Sequence, residues 1–273
     1  MTTTLAPPAR TAHGAVRPAS VHAPLRDVAT MTRREARRSL RSVDGLITAF
    51  ALPVLIMSAF VIVFGGAISG GTGGEYIDYV VPGVLVMCLG MNSATAATGV
   101  AQDMTTGTID RFKTLPIFSS SALWGHVIAS VVRNLASVVV VLLVSLAYGF
   151  RPDADLGQWL GFVGFTVLAV VTFTWLCVVF GLVLSVEASM SVSMIFLFVP
   201  YLSSGFVPVD TMPDWLHGFA EHQPFTPIIE SVRGLLAGAP DAGTIVTACV
   251  WLVGFLVASV VVGGVLYRRR TAR

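Results

Sequence analysis

The sequence predicts an all-α integral membrane protein with six transmembrane helices and both termini in the cytoplasm. Three observations predict this fold: long apolar stretches, few charged residues, and basic residues concentrated on one side of the stretches. The chain is 55% hydrophobic and only 12% charged, whereas a soluble domain carries roughly 25% charged residues. The apolar stretches are 46–64, 80–101, 126–150, 158–184, 190–206 and 245–266.

The length of each stretch favours a membrane-spanning helix. A helix needs about 17–25 residues to cross the bilayer core, and each stretch is near or above that length. Only helices and closed barrels satisfy the backbone hydrogen bonds in lipid, and these runs are too long and continuous for barrel strands. A cleaved signal peptide is not predicted, because the basic region before the first stretch is long and no clear cleavage site follows.

The distribution of basic residues predicts the orientation. Cytoplasmic loops carry the excess of Lys and Arg. If six helices alternate, 14 of the 17 basic residues share one face, and the other face has Arg151 and Arg233 with nine acidic residues. The 14 are Arg10, Arg17, Arg26, Arg33, Arg34, Arg37, Arg38, Arg41, Arg111, Lys113, Arg268, Arg269, Arg270 and Arg273. We therefore expect the first face to be cytoplasmic.

Four regions follow from this topology. Residues 1–20, rich in Thr, Ala and Pro, are expected to be a disordered tail. In residues 21–45 apolar positions recur at helical spacing among arginines, which is typical of an amphipathic helix on the inner membrane surface; the alternative is a solvated basic tail. The transmembrane domain is 46–266, and 267–273 is a basic cytoplasmic tail. The three cysteines lie in apolar stretches and are expected to pack there.

Polar residues in the second and fifth stretches are candidates for a substrate path. The second stretch contains Asn92 and Ser93, and the fifth contains Pro200, Ser203 and Ser204. Small and hydroxylated residues let helices approach and hydrogen-bond across the contact, and proline bends a helix. Ordinary helix packing is the alternative.

The external segment 207–243 is more apolar than a solvated loop. Trp215, Leu216 and Phe219 fall on one face of a short helix, and Thr226 with Pro227 resembles a cap and first-turn proline of a second helix. Gly234 and Gly238 are candidate ends of that helix. We expect two short re-entrant helices that dip into the outer leaflet; a compact external cap is the alternative. The segment also contains Pro208 and Pro213.

Several kinds of chemistry are not predicted. Lys113 is the only lysine, and Phe112 precedes it where a phosphate-binding loop needs glycine, so the chain is not expected to hydrolyse ATP itself. No acidic residue lies deep in a span, as ion-coupled transporters commonly require. Arg133 is expected to snorkel toward the inner interface, and no metal role is assigned to His217 or His222.

The most specific motif follows the second stretch. Residues 103–117 read DMTTGTIDRFKTLPI, and this run resembles the cytoplasmic loop of ABC-2 transporter permeases, particularly their daunorubicin-resistance branch of drug exporters. The resemblance covers about residues 30–266. Further matching motifs are Arg133-Asn134, Gly149-Phe150-Arg151, residues 204–213 (SGFVPVDTMP), Glu221-His222-Gln223-Pro224 and Val232-Arg233-Gly234-Leu235.

The resemblance implies a permease subunit that exports an amphipathic drug-like or lipid-like compound and is powered by a separate cytoplasmic ATPase. It implies no cofactor on this chain, ATP and Mg on the partner, and a second copy of this chain or a similar permease in the plasma membrane of a bacterium. Membrane lipids and a small-molecule substrate are the other expected partners, and no nucleic acid is expected. The ATPase-coupling loop would comprise Asp103, Gly107, Thr108, Asp110, Arg111, Phe112, Lys113, Leu115 and Pro116.

Other classes of function stay open at this point. An ion-coupled secondary transporter or a channel would depend on an ion gradient rather than on ATP. An intramembrane enzyme would need paired polar groups inside the membrane, and no convincing pair is present. A structural anchor would tolerate alanine at Asp110 and Phe112.

Overall fold

The computed structural model describes residues 23–72, 76–106 and 121–271. Within these ranges the chain is helical and has no β-strand, which confirms the predicted all-α fold. The helices are α1 Ala23–Arg41, α2 Val43–Leu46, α3 Leu52–Thr72, α4 Tyr76–Thr105, α5 Ser121–Ala147, α6 Leu156–Val183, α7 Val186–Met190, α8 Val192–Phe198, α9 Asp214–His222, α10 Phe225–Leu236 and α11 Ala242–Thr271. A π-helical turn, Ile47–Ala51, joins α2 to α3.

Four of the described helices are long and apolar enough to cross a membrane. They are Tyr76–Thr105, Leu123–Ala147, Leu156–Val183 and Ala242–Arg269. The first and fifth predicted spans correspond to shorter apolar helices, Ala49–Val63 and Val186–Leu202. The fifth stretch is not one continuous helix: α7 ends at Met190, α8 ends at Phe198, and a 3-10 turn, Val199–Leu202, contains Pro200. A proline cannot donate a backbone hydrogen bond, so an α-helix does not continue regularly through it.

Helix α4 is the centre of the bundle. In the most apolar 18-residue segment of α4, 94% of the residues are buried inside the bundle. In the corresponding segment of α11, only 17% are buried. Glycines allow the close packing: a β-carbon at Gly83 would collide with the carbonyl of Gly205, and one at Gly90 would collide with the ring of Phe196. The 3-10 turn region and α8 therefore lie directly against α4, and α11 is a peripheral helix.

Polar side chains cap the N-terminal ends of two long helices, α6 and α11. Asp155 and Gln158 form a capping box at the start of α6, with two backbone-to-side-chain bonds of 2.7 Å. Asp241 accepts from the backbone N–H of Thr244 at 2.7 Å and begins α11. Hydrogen bonds from the Thr244 hydroxyl and backbone lower the pKa of the Asp241 carboxyl. These caps locate both helix starts a few residues before the apolar stretches begin.

Segment 207–243 contains two short helices, as the sequence predicts, with two corrections to their ends. Helix α10 begins at Phe225, so Thr226 lies inside its first turn and is not the cap; its hydroxyl donates to the carbonyl of Ala220. Gly234 lies within α10, whereas Gly238, with φ of 72°, follows the helix end. Ile228, Ile229 and Val232 are buried, and α10 packs against α4, α6 and α11.

Candidate functional site

A cluster of charged side chains lies where α1, α4 and α5 meet. We call it the charge cluster: Arg34, Glu35, Asp103 and His126. It is on the side of the bundle where α4 ends at Thr105 and α5 begins at Ser121, which we call the loop side. Two glycines create room for it. A β-carbon at Gly125 would lie 2.7 Å from Cβ of Met31, and one at Gly99 would lie 2.9 Å from Cε1 of His126.

The helical register brings these residues together. Gly125 lets the backbone of α1 approach α5, and Glu35 follows this contact on α1 by about one turn. His126 is the next residue after Gly125. On α4, Asp103 lies four residues after Gly99 and therefore on the same helix face. The imidazole ring packs over Gly99 and reaches the carboxylate one turn further along.

The imidazole of His126 joins two carboxylates from different helices. Its Nε2 lies 3.2 Å from Oδ2 of Asp103, and its Nδ1 lies 3.6 Å from Oε2 of Glu35. Arg34 lies beside the same two acids, with NH2 3.1 Å from Oδ1 of Asp103 and NH1 3.4 Å from Oε1 of Glu35. The side chains of Asp103 and His126 are only 5% and 6% exposed, so these ion pairs are shielded from water.

The residue types of the charge cluster are those of metal ligands, but the geometry fits ion pairing better. One ligand atom each from Glu35, Asp103 and His126 falls within 4.8 Å of the others. However, the two ring nitrogens face different carboxylates, and Arg34 already supplies positive charge to both acids. We therefore describe the site as an ion-pair cluster, and the absence of a metal role stays a prediction.

A cavity of about 530 Å³ adjoins the charge cluster. Helices α1, α4, α5, α7 and α8 and the residues after α1 enclose it. Its polar lining includes Glu35, Thr95, Thr98, Gln102, His126 and Arg133, and its apolar lining includes Met91, Ala94 and Met190. The volume and the mixed lining are typical of small-molecule sites, which usually measure about 300–1,000 Å³.

Arg133 hydrogen-bonds to α4, and its expected reach toward the inner interface stays a prediction. Its guanidinium donates to the carbonyl of Asn92 at 2.8 Å and to the hydroxyl of Thr95. Since His126 of α5 pairs with Asp103, the antiparallel course of α4 and α5 places Arg133 level with residues several turns from Thr105, away from the loop side. These hydrogen bonds hold the guanidinium against α4 inside the bundle.

The predicted path residues of α4 are buried within the bundle. Asn92 and Ser93 are 1% and 0% exposed. Asn92 donates to the carbonyl of Ala49 in the π-helical turn at 3.4 Å, and Ser137 donates to the same oxygen. Oδ1 of Asn92 and Oγ of Ser93 are buried without a hydrogen-bond partner in the described part of the chain. Their role in a path stays a prediction.

The predicted residues of the 3-10 turn are also buried. Pro200 lies in this turn, and its carbonyl accepts from the hydroxyl of Ser203 at 2.9 Å. Ser204 is 2% exposed, and its Oγ has no partner among the described residues. The carbonyl of Ser204 accepts from Arg233 at 2.7 Å.

The residues predicted for the external segment lie on or beside α9 and α10. Pro213 directly precedes α9, and Pro227 is in the first turn of α10, where a missing N–H costs nothing. Pro208 precedes a 3-10 turn, Val209–Thr211. Trp215 and Phe219 are 79% and 54% exposed. They therefore present an apolar surface outside this single chain.

Of the predicted coupling loop, the structure describes only Asp103. Gly107, Thr108, Asp110, Arg111, Phe112, Lys113, Leu115 and Pro116 lie outside the described residues. The sequence did not indicate Arg34 and Glu35 as site residues. One signal was available: Glu35 is an acid close to five of the six arginines of α1, namely Arg33, Arg34, Arg37, Arg38 and Arg41.

A bundle of long apolar helices with a cavity between them fits the membrane component of a transporter. The chain belongs to the ABC-2 type transporter family, which matches residues 26–237. It is 30% identical over 216 residues to the daunorubicin resistance ABC transporter permease protein DrrB1 of Streptomyces coeruleorubidus, covering 77% of this chain and 72% of that protein.

Two further relatives agree with this assignment. The probable doxorubicin resistance ABC transporter permease protein DrrC of Mycobacterium tuberculosis is 27% identical over 245 residues, 87% of each chain. The inner membrane transport permease YadH of Escherichia coli is 26% identical over 214 residues, 76% of this chain and 82% of that protein. This chain is therefore a multi-pass permease subunit of an ABC exporter in the cytoplasmic membrane. The family implies an ABC ATPase partner and a dimeric permease.

Proposed function

We propose that the chain provides one half of the membrane path of an exporter for an amphipathic, drug-like compound, and that the cavity beside the charge cluster is the entry site. The cavity is the observation that carries this proposal, because its guanidinium, carboxylate and hydroxyl groups stand beside methionine and alanine side chains. Such a lining suits a molecule with one apolar and one polar part. The names of two relatives, which refer to daunorubicin and doxorubicin resistance, support a compound of this kind.

The proposed orientation has both termini and the loop side in the cytoplasm. Six spans would then comprise the four long helices, α3, and the broken segment from α7 to the 3-10 turn. The positive residues of α1 and of the end of α11 support this orientation through the positive-inside rule. In it, the cavity lies in the inner half of the membrane, and α9 and α10 form the external re-entrant segment.

The unpartnered polar atoms support the proposed path and the second subunit. A buried polar group without a partner costs about 1–3 kcal/mol, so Asn92, Ser93 and Ser204 are expected to meet water, substrate or another chain. We propose a second copy of this chain or a similar permease, and two ATPase chains that bind ATP and Mg. ATP would shift the permease between two states by differential binding.

Filling the cavity tests its role as the entry site. Thr98 lines the cavity, and Thr98→Trp should abolish most ATP-dependent uptake of doxorubicin into inside-out vesicles that contain the permease with its ATPase. Val257→Trp is the matched control, because Val257 is 57% exposed on the peripheral helix α11. Equal uptake by both variants would refute the entry site, and no ATP-dependent uptake by the wild type would refute this substrate class.

A pull-down tests the partner independently of substrate. The tagged chain, extracted from its native membrane in mild detergent, should retain a P-loop ATPase, and Asp110→Arg should lose it. If the wild-type chain purifies alone in several mild detergents, the proposed assembly is wrong.

A further inference from the structure

The charge cluster connects the cavity to the start of the coupling loop. We propose that His126 is a positioning residue that fixes the end of α4 against α1, so that nucleotide-driven motion at the loop reaches the cavity. This inference rests on the proposed function, because it needs the ATPase to act on the loop after Asp103. His126 contacts no reacting group; it acts through Asp103 and Glu35.

The contacts show why one ring can hold two helices together. The imidazole bridges the acids of α4 and α1, at 3.2 Å and 3.6 Å, and its own helix begins directly after residues 107–120. The end of α4 and the start of α5, which flank this connection, therefore both contact α1 through the cluster. The ring is also confined by Gly99, since a β-carbon there would lie 2.9 Å away. A shift of α1, α4 or α5 therefore changes at least one of the two contacts that the ring makes with the carboxylates.

Burial makes these contacts hard to replace. The side chain of Asp103 is 5% exposed, so water cannot easily substitute for a lost partner. Without His126, the carboxylate retains Arg34, whose side chain is 38% exposed and therefore has more freedom to move. The end of α4 would then lose its most buried contact within the charge cluster, the contact with His126.

The same residues face the cavity. Glu35, Gln102 and His126 all line it, and Gln102 directly precedes Asp103. A molecule in the cavity would therefore touch the cluster. The charge cluster thus lies between the cavity and the end of α4 at Thr105.

The test measures the distance between α1 and the end of α4, and it needs no substrate. Spin labels are attached at Arg37→Cys on α1 and Thr105→Cys at the end of α4, two exposed positions. The background replaces Cys88, Cys177 and Cys249, and the permease–ATPase complex is reconstituted in nanodiscs. Distance distributions are recorded without nucleotide and with ATP and Mg²⁺ trapped by vanadate, together with the ATP hydrolysis rate.

We expect the wild type to show a narrow distribution that shifts on trapping. His126→Asn should broaden the distribution and lose most of the shift, while the complex still assembles. A measurable rate of ATP hydrolysis in the same sample shows that the ATPase is functional. If His126→Asn proves unstable, Asp103→Asn replaces it as the test. This substitution keeps the size and shape of the side chain, and it should show the same broadening and the same loss of the shift. Glu187→Gln is the control, because Glu187 is an exposed acid at the start of α7 outside the cluster.

The outcomes separate the inference from the proposed function. If the wild-type complex does not assemble with an ATPase, the proposed function is wrong. If it assembles and shifts, and His126→Asn and Asp103→Asn shift equally, the positioning role is wrong. A loss of assembly in both variants would also overturn it, because the cluster would then serve folding alone.

Discussion

Gly99 leaves the space that the imidazole of His126 occupies: a β-carbon at position 99 would lie 2.9 Å from Cε1 of the ring. The contact explains why a glycine stands in the middle of a buried helix. The ring is held on both sides by carboxylates, so it cannot simply turn away from an added methyl group.

Gly99→Ala should therefore destabilise the chain by about 1–3 kcal/mol, the usual range for overpacking a core. The measurement is thermal unfolding in detergent, followed by tryptophan fluorescence. Gly164→Ala is the matched control, because nothing lies within 4 Å of a β-carbon there and alanine favours the helix. A Gly99→Ala variant as stable as Gly164→Ala would contradict the packing described here.

The carbonyl of Ala49 in the π-helical turn receives two side-chain hydrogen bonds, from Asn92 and Ser137. A π-helical turn displaces backbone groups from the regular ladder, and neighbouring helices satisfy them in a membrane. Ser137→Ala should cost about 0.6 kcal/mol, the average for such bonds, and at most about 1.7 kcal/mol. Combined with Asn92→Leu, the loss should be non-additive, because both bonds reach one oxygen.

Chemical unfolding in mixed micelles measures this effect. Ser58→Ala is the control, because the Ser58 hydroxyl donates only to the carbonyl of Val54 in its own helix. The assignment fails if Ser137→Ala costs no more than Ser58→Ala, or if the losses from Asn92→Leu and Ser137→Ala simply add.

The hydropathy pattern predicted the fold class well because lipid allows few alternatives to the helix. It could not predict that Pro200 and the turn at Ser191 divide the fifth stretch, since an apolar run contains no periodic signal at a helix end. The central position of α4 depends on Gly83 and Gly90 meeting Gly205 and Phe196, and such contacts between distant segments have no local pattern.

The site was less predictable than the fold for a related reason. Asp103 and His126 are 23 residues apart, and Arg34 is 69 residues from Asp103. Asp103 and His126 each lie near the end of a predicted span, and Arg34 lies within the predicted surface helix. Their pairing requires the register in which α1 packs on Gly125, and only the three-dimensional structure supplies that register.

Arg233 joins α10 to two other segments, at Tyr79 and Ser204. One guanidinium nitrogen donates to the carbonyl of Tyr79 at 3.1 Å and to that of Ser204 at 2.7 Å, and the group stacks 3.9 Å above the ring of Tyr79. Lysine has one compact ammonium and cannot reproduce a planar, stacked arrangement. Arg233→Lys should therefore cost about 1.5–3 kcal/mol, the range for hydrogen bonds to charged groups.

Thermal unfolding at several salt concentrations checks this prediction. Arg151→Lys is the matched control: Arg151 also donates to two carbonyls, those of Leu146 and Phe150, but it lies exposed in a local turn. The control should change stability by less than about 0.5 kcal/mol. Arg233→Lys keeps the positive charge, so a change in stability as small as that of Arg151→Lys would mean that Arg233 contributes only its charge.

Phe112 and Asp110 stand at the centre of the motif that resembles a coupling loop. If the loop seats in a groove of the ATPase, Phe112 supplies the apolar contact and Asp110 a charged one. Phe112→Ala and Asp110→Asn should each lower transport per ATP hydrolysed by about tenfold or more, because each removes part of one mechanical contact and leaves the nucleotide site of the partner intact. Inside-out vesicles measure both quantities, and membrane insertion is checked by protease protection. Ser119→Ala, beyond the motif, should change neither. Unchanged transport in both loop variants would show that coupling runs through another surface.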